Sequence, residues 1–245
     1  MLAYGSLRGT RRLSHSMTAA ETQATDFVLH FAPKAEPASG CVLGVEALHA
    51  VTGAPRTSAV LAAALRQCGA WRDAGLDLQV AVNLPRAEVF DRELPDLIRE
   101  LLAETHVRPD QLELEIPERT ILADPFRVRE ALSRLGDLGL FLAIDDFGSW
   151  PASIAYLRRL PVHTIKSADS SAWQSAIDLG RSLDLGVVAE GVDSQETWDA
   201  LRAEGCTLVQ GDFVGKPLPA DELGGLLHER GLHSHVARAR RIAHA

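Results

Sequence analysis

Cysteine is scarce in this chain. Its 245 residues hold three, Cys41, Cys68 and Cys206, far apart and with no Cys-x-x-Cys pair. That excludes a disulfide framework and suits a reducing compartment, so a cytoplasmic location is expected. Long apolar runs are missing as well. No stretch approaches 18 apolar residues, which excludes a transmembrane helix. The first twenty residues contain arginines but no apolar centre of the signal-peptide kind. Positive charge is in deficit, with 25 Lys and Arg against 33 Asp and Glu and a net charge of −8. DNA or RNA polymer is therefore a poor partner, because phosphates demand Lys and Arg. A histidine cluster of the zinc-binding type is also lacking.

What is present reads as an ordinary globular domain, 46% hydrophobic and 24% charged. Residues 1–25 are expected to be a leader outside it, 26–228 the domain itself, and 229–245 a basic, histidine-containing tail. From about residue 26 the chain alternates. Short apolar runs at 27–31, 41–46, 78–83, 112–116, 141–145, 163–166, 187–190 and 207–210 read as strands. Between them lie segments with apolar residues three and four apart, at 57–71, 95–106, 125–139, 151–160, 172–185 and 194–205. These read as amphipathic helices. Pro125 and Pro151 sit where a first helical turn accepts proline, Ser194 is an N-cap candidate, and Gly139, Gly186 and Gly205 fall near helix ends. Strand–helix alternation implies a parallel sheet covered by helices. Eight strands in about 200 residues predict a single-domain TIM-like (β/α)8 barrel, one of whose strands can be irregular. A doubly wound open sheet is the alternative.

Seven of the eight runs carry a polar residue at or next to their C-terminal end: Glu46, Asn83, Glu115, Asp145, Lys166, Glu190 and Gln210, at intervals of 20–37 residues. In a parallel barrel all C-terminal strand ends lie on one rim, where the active sites of this fold sit. Singly, each residue is an ordinary cap or solvated loop residue; it is their joint placement that points to a site. The strand period of two turns Asp145 inward and leaves Asp146 to begin the loop. Carboxylates gathered at one rim repel, and a bound cation relieves the repulsion. All-oxygen ligation suits Mg²⁺, Mn²⁺ or Ca²⁺, with ligands enough for two ions.

The motifs in order, "GVEALHAV", "VAVNLP", "LELEIPE", "LAIDDFGS", "YLRRLPVHTIK", "VVAEGVD" and "LVQGDFVGKPLP", resemble the EAL domains that hydrolyse cyclic di-GMP, over about residues 27–223. The resemblance implies a barrel that cuts one phosphodiester to give linear pGpG with Mg²⁺ or Mn²⁺. It implies Glu46, Asn83, Glu115 and Asp145 as ligands of one ion and Asp145, Asp146 and Glu190 of a second. Lys166 would contact the attacking water or the phosphate, Gln210 would orient the site, and Glu118 would anchor the loop after Asp145-Asp146. Leu48, Gln210, Lys216 and Pro217 would line the substrate. It also allows for a homodimer or a regulatory protein partner.

The chain departs from the family at Ala50 (for Arg), Ala32 (for Gln), Ser149-Trp150-Pro151, Ala168, Pro117 and Asp193. The segments from Glu46 to Asn83 and from Lys166 to Glu190 are also short. These departures favour a second reading, a receptor or protein-interaction module that no longer cuts. Without the resemblance, a third reading stands: an enolase-like barrel with Lys166 as base and one Mg²⁺.

Overall fold

The computed structural model describes residues 27–49, 56–148 and 154–230. The expected leader and nearly all of the expected tail lie outside this range, as do Ala50 and Ser149-Trp150-Pro151. Among the described residues there are nine strands: β1 (Leu29–Ala35), β2 (Val42–His49), β3 (Gln79–Asn83), β4 (Leu112–Pro117), β5 (Phe141–Asp145), β6 (Thr164–Ser167), β7 (Gly186–Ala189), β8 (Leu208–Val209) and β9 (Leu218–Pro219). The helices are α1 (Thr57–Asp73), α2 (Arg86–Val89), α3 (Leu94–Thr105), α4 (Glu118–Ala123), α5 (Pro125–Gly136), α6 (Ile154–Leu157), α7 (Trp173–Leu183), α8 (Gln195–Ala203) and α9 (Ala220–Arg230).

Strands β2 to β8 pair in sequence order, all parallel, and β1 closes the ring between β8 and β2. The result is a closed eight-stranded barrel, with β9 a short strand beside β1. The sequence pattern implied a wholly parallel sheet, but β1 runs antiparallel to both neighbours. The physical reason is the connection. Only Glu36 to Cys41 separate β1 from β2, and a parallel pair needs a crossover of a dozen residues or more. β1 also lies further along the chain than the run 27–31, reaching through Pro33 and Lys34 to Ala35. Short helices α2 and α4, helix α9 and strand β9 were not anticipated.

Helix starts follow local chemistry. Asp124 accepts a hydrogen bond from the Arg127 amide at 3.2 Å ahead of Pro125, and Ser194 accepts one from the Thr197 amide at 3.2 Å. Gly186, expected at a helix end, belongs to β7; Asp184 takes the left-handed position there with φ 59°. A short polar side chain tolerates that conformation best after glycine. The strands then alternate cleanly. Val80, Val82, Leu112, Leu114, Ile116, Leu142, Ile144, Ile165 and Val187 face outward into one continuous core with the helices. The intervening residues face the lumen, and they build the site.

Candidate active site

Several lumen positions are small; Ala81 on β3 and Ala143 on β5, for example, are 1% and 0% exposed. The lumen of a TIM barrel is ordinarily filled by branched apolar side chains. Here charge takes that space. Glu113 and Glu115 on β4, Thr164 and Lys166 on β6, Glu46 on β2 and Lys34 on β1 are all buried.

Lys166 stands at the centre. Its Nζ lies 2.7 Å from Glu115 Oε2, 3.1 Å from Glu190 Oε1, 3.2 Å from Glu46 Oε2 and 3.4 Å from Asp145 Oδ1. Asn83 Nδ2 donates to Glu46 Oε1 at 2.6 Å, and Gln210 Nε2 donates to Glu46 Oε2 at 2.8 Å. All seven strand-end residues singled out in the sequence are thus brought to one place.

Asp146 is not part of this shell. It is exposed, with φ 56°, and begins the loop that leaves β5. Two bonds hold that loop down: the Phe147 amide donates to the Lys166 carbonyl at 2.8 Å, and the Gly148 amide donates to Glu118 Oε2 at 3.2 Å. Leu48 is half-buried at the end of β2. Lys216 is exposed on the loop after β8, its ammonium turned toward Asp212 Oδ2 at 3.7 Å, and Pro217 beside it is exposed. Ala32, buried on the lumen side of β1, lies opposite Glu46 in the β1–β2 register and offers no polar atom beyond its backbone.

Lys34 was not foreseen. Its Nζ sits 2.7 Å from Glu113 Oε1 and 2.7 Å from Glu115 Oε1. A first strand that ends at residue 31, as the sequence pattern suggests, leaves Lys34 outside the barrel. A compositional signal marks it nonetheless: the chain has only three lysines, Lys34, Lys166 and Lys216, and all its other basic residues of this charge are arginine. Two of the three meet on Glu115, whose Oε1 takes Lys34 and whose Oε2 takes Lys166.

Electrostatics follow from this geometry. Burial alone would raise the Glu46 carboxyl. The Lys166 and Lys34 ammoniums and the Gln210 and Asn83 hydrogen bonds overrule burial and hold it at about 2. For Glu115 burial prevails over both ammoniums, and the carboxyl is pushed up to about 7. Glu190 is raised, chiefly by burial, against the pull of Lys166. Burial would lower both ammoniums, but the surrounding carboxylates hold Lys34 and Lys166 above the ordinary lysine range.

Five carboxylates (Glu46, Glu113, Glu115, Asp145 and Glu190) therefore share two ammonium groups, an acidic excess. In addition, the buried Gln210 Oε1 has no hydrogen-bond partner. Hard oxygen donors with unspent charge fit a cation such as Mg²⁺ or Mn²⁺. Glu46, Asn83, Glu115, Asp145 and Glu190 are the side chains in place to hold it. Among the described residues no three His, Cys, Asp or Glu side chains form a ready metal cage. The carboxylates are gathered on the Lys166 ammonium instead.

Comparison with known proteins places this geometry in context. The family model described as "EAL domain" matches residues 12–217. The bifunctional diguanylate cyclase/cyclic di-GMP phosphodiesterase MucR of Pseudomonas aeruginosa is 33% identical over 230 residues, covering 80% of this chain and 34% of MucR. The cyclic di-GMP phosphodiesterase NbdA of the same organism is 36% identical over 154 residues, covering 58% of this chain and 20% of NbdA. The chain thus spans only 20–34% of the length of these relatives. Among solved structures, the P. aeruginosa MucR phosphodiesterase in complex with cyclic di-GMP superposes with a TM-score of 0.75 at 31% identity, covering 80% of this chain and 94% of that one. The EAL domain of Mycobacterium smegmatis DcpA gives 0.77 at 26% identity, with 83% and 98% covered.

Proposed function

This chain belongs to the EAL domain family, and from that premise we propose that it is a metal-dependent phosphodiesterase that hydrolyses cyclic di-GMP to linear pGpG. The observation that carries the proposal is the convergence of Glu46, Asn83, Glu115, Asp145, Glu190 and Gln210 around Lys166 at the C-terminal rim of a closed barrel. In the reaction a water oxygen bonds to phosphorus and the P–O3′ bond breaks. The leaving oxygen gains a proton, and the product keeps a 5′-phosphate.

Bound Mg²⁺ or Mn²⁺ supplies a lowered water pKa and positive charge against the phosphoryl oxygens. The chain's own residues do the rest. Lys166 keeps its proton, so it acts as a fixed donor and positive charge beside the phosphate rather than as a base. A base works best when its pKa is drawn toward the operating pH. Glu190, raised by burial and only partly covered at the rim, is the carboxylate assigned to receive the water's proton. Gln210 and Asn83 hold the Glu46 carboxylate between them and so fix its lone pairs. Glu118 ties down the Asp146–Gly148 turn through the Gly148 amide. Asp146 supplies a further carboxylate from the loop, and Leu48, Lys216 and Pro217 line the approach of the dinucleotide. The three free cysteines agree with action in the cytoplasm, and no helix among the described residues is long and apolar enough to cross a membrane.

A second reading, a cyclic di-GMP receptor that does not cut, is favoured by Ala32, which removes a polar side chain from the rim opposite Glu46. Incubation with cyclic di-GMP and Mg²⁺ or Mn²⁺, followed by chromatography for pGpG, separates the two. The enzyme reading expects pGpG from the wild type and none from Glu46→Ala or Lys166→Ala. A wild type no faster than those variants, but still binding the dinucleotide by calorimetry in Ca²⁺, establishes the receptor.

A further inference from the structure

The least expected feature of the lumen is a second buried lysine beneath the first. Lys34 reaches across the barrel from β1 to β4, spanning 79 and 81 residues of sequence to grip Glu113 and Glu115. It lies 1% exposed, below the rim and out of reach of solvent. Its two acids differ in position. Glu115 touches both lysines, whereas Glu113 touches Lys34 and accepts a bond from Thr164 Oγ1 at 3.4 Å. Glu113 thus faces the floor of the lumen, and Glu115 connects the floor to the rim.

This arrangement restricts Glu115. A glutamate on a strand has three rotatable bonds, and ordering it costs side-chain entropy. A charge-assisted bond of 2.7 Å on Oε1 fixes the plane of its carboxylate from below. Oε2 is thereby directed upward, toward the space that Glu46, Asp145 and Glu190 share. The use of lysine agrees with this task. Its ammonium is a compact point charge with three donors, enough to serve Glu113 and Glu115 together.

We propose that Lys34 is a positioning residue of the site: it clamps Glu115 from beneath so that the outer carboxylate oxygen is held ready for the cation, and Glu113 is there to hold Lys34. The inference rests on the metal-dependent reading above. It assigns a role to a residue that touches neither substrate nor cation.

The test must separate positioning from mere charge balance. Lys34→Met strands the buried Glu113 carboxylate, leaves Glu115 with Lys166 alone, and is expected to lower the thermal midpoint. Lys34→Met combined with Glu113→Gln removes one charge of each sign and is expected to recover most of that loss. Calorimetric titration with Mn²⁺ alone then decides. Positioning expects the double variant to bind Mn²⁺ roughly 10–100-fold more weakly than wild type, as when a group that orients a metal ligand is lost. It also expects kcat on cyclic di-GMP to fall while KM is retained. A double variant with wild-type Mn²⁺ affinity overturns the inference. Should the double variant not fold, Lys34→Gln read by the same titration takes its place, with the same two outcomes. Wild-type protein that takes up no Mn²⁺ overturns the metal-dependent reading and this inference with it, whereas uptake equal in wild type and Lys34 variants overturns this inference alone.

Discussion

Replacing Lys166 by methionine probes the electrostatic design of the barrel directly. Methionine keeps most of the stem volume and deletes the charge. Four carboxylates within 3.4 Å of Nζ lose their shared cation, and two of them, Glu115 and Glu46, have side chains 0% and 8% exposed. Removing one partner of a buried ion pair costs about 3–5 kcal/mol. For a domain of this size that lowers the thermal midpoint by roughly 6–20 °C.

The pH dependence carries the stronger test. In the wild type, Glu46 is held at about 2 against an ordinary value near 4.5. Its ionisation therefore stabilises the fold above pH 4.5, and that stability is lost as pH falls through 2. Without Lys166 the carboxylates rise, so the variant is penalised wherever they must ionise. The gap between wild type and variant should be widest at pH 8 and narrow markedly at pH 5, where Glu115 holds a proton. Urea unfolding followed by tryptophan fluorescence at both pH values measures it. Added Mn²⁺ should restore part of the variant's loss at pH 8, by mass action on the folded state. A loss below about 1 kcal/mol at pH 8, small beside the 3–5 kcal/mol of a broken buried pair, refutes the reasoning, as does a loss equal at the two pH values.

The Glu115 carboxyl, at about 7, must lose its proton to ligate a cation. Mn²⁺ affinity is therefore expected to climb about tenfold per pH unit up to 7 and then level off, with proton release seen by calorimetry in buffers of different ionisation enthalpy. Glu118→Ala deprives the Gly148 amide of its acceptor; faster hydrogen exchange at Phe147 and Gly148 and a lower kcat are expected, with little change in global stability. A Cβ at Gly211 would lie 2.3 Å from the Val192 carbonyl oxygen. Gly211→Ala should consequently displace Gln210, and spectra or activity unchanged from wild type would show that the backbone there yields easily. Ser194→Ala removes the cap of α8 and should cost about 1 kcal/mol in chemical denaturation without altering Mn²⁺ affinity.

Much of the barrel was legible because its signals are local. Period-two alternation in "FLAID" gives β5 with the bounds 141–145 and turns Asp145 inward and Asp146 out, as found. The recurring polar residue at each strand end marks the rim because parallel strands all finish on the same side. The extent of the first strand is hidden because Pro33 and Lys34 look like a turn, and nothing nearby says they pair with β2. Its reversed direction was available in the short connection to β2, which no helix can fill.

What the sequence by itself determined, then, is which residues of β2 to β8 reach the rim, since that depends on strand period and strand order alone. Which lumen residues touch was decided only by closure of the barrel. Lys34 is 81 residues from Glu115, and Lys166 is 120 from Glu46, and each pair meets because β1 seals the ring between β8 and β2. Burial then makes those meetings strong. The same acids and lysines on a solvated surface would screen one another and contribute little, whereas inside the closed barrel each carboxylate must find a cation.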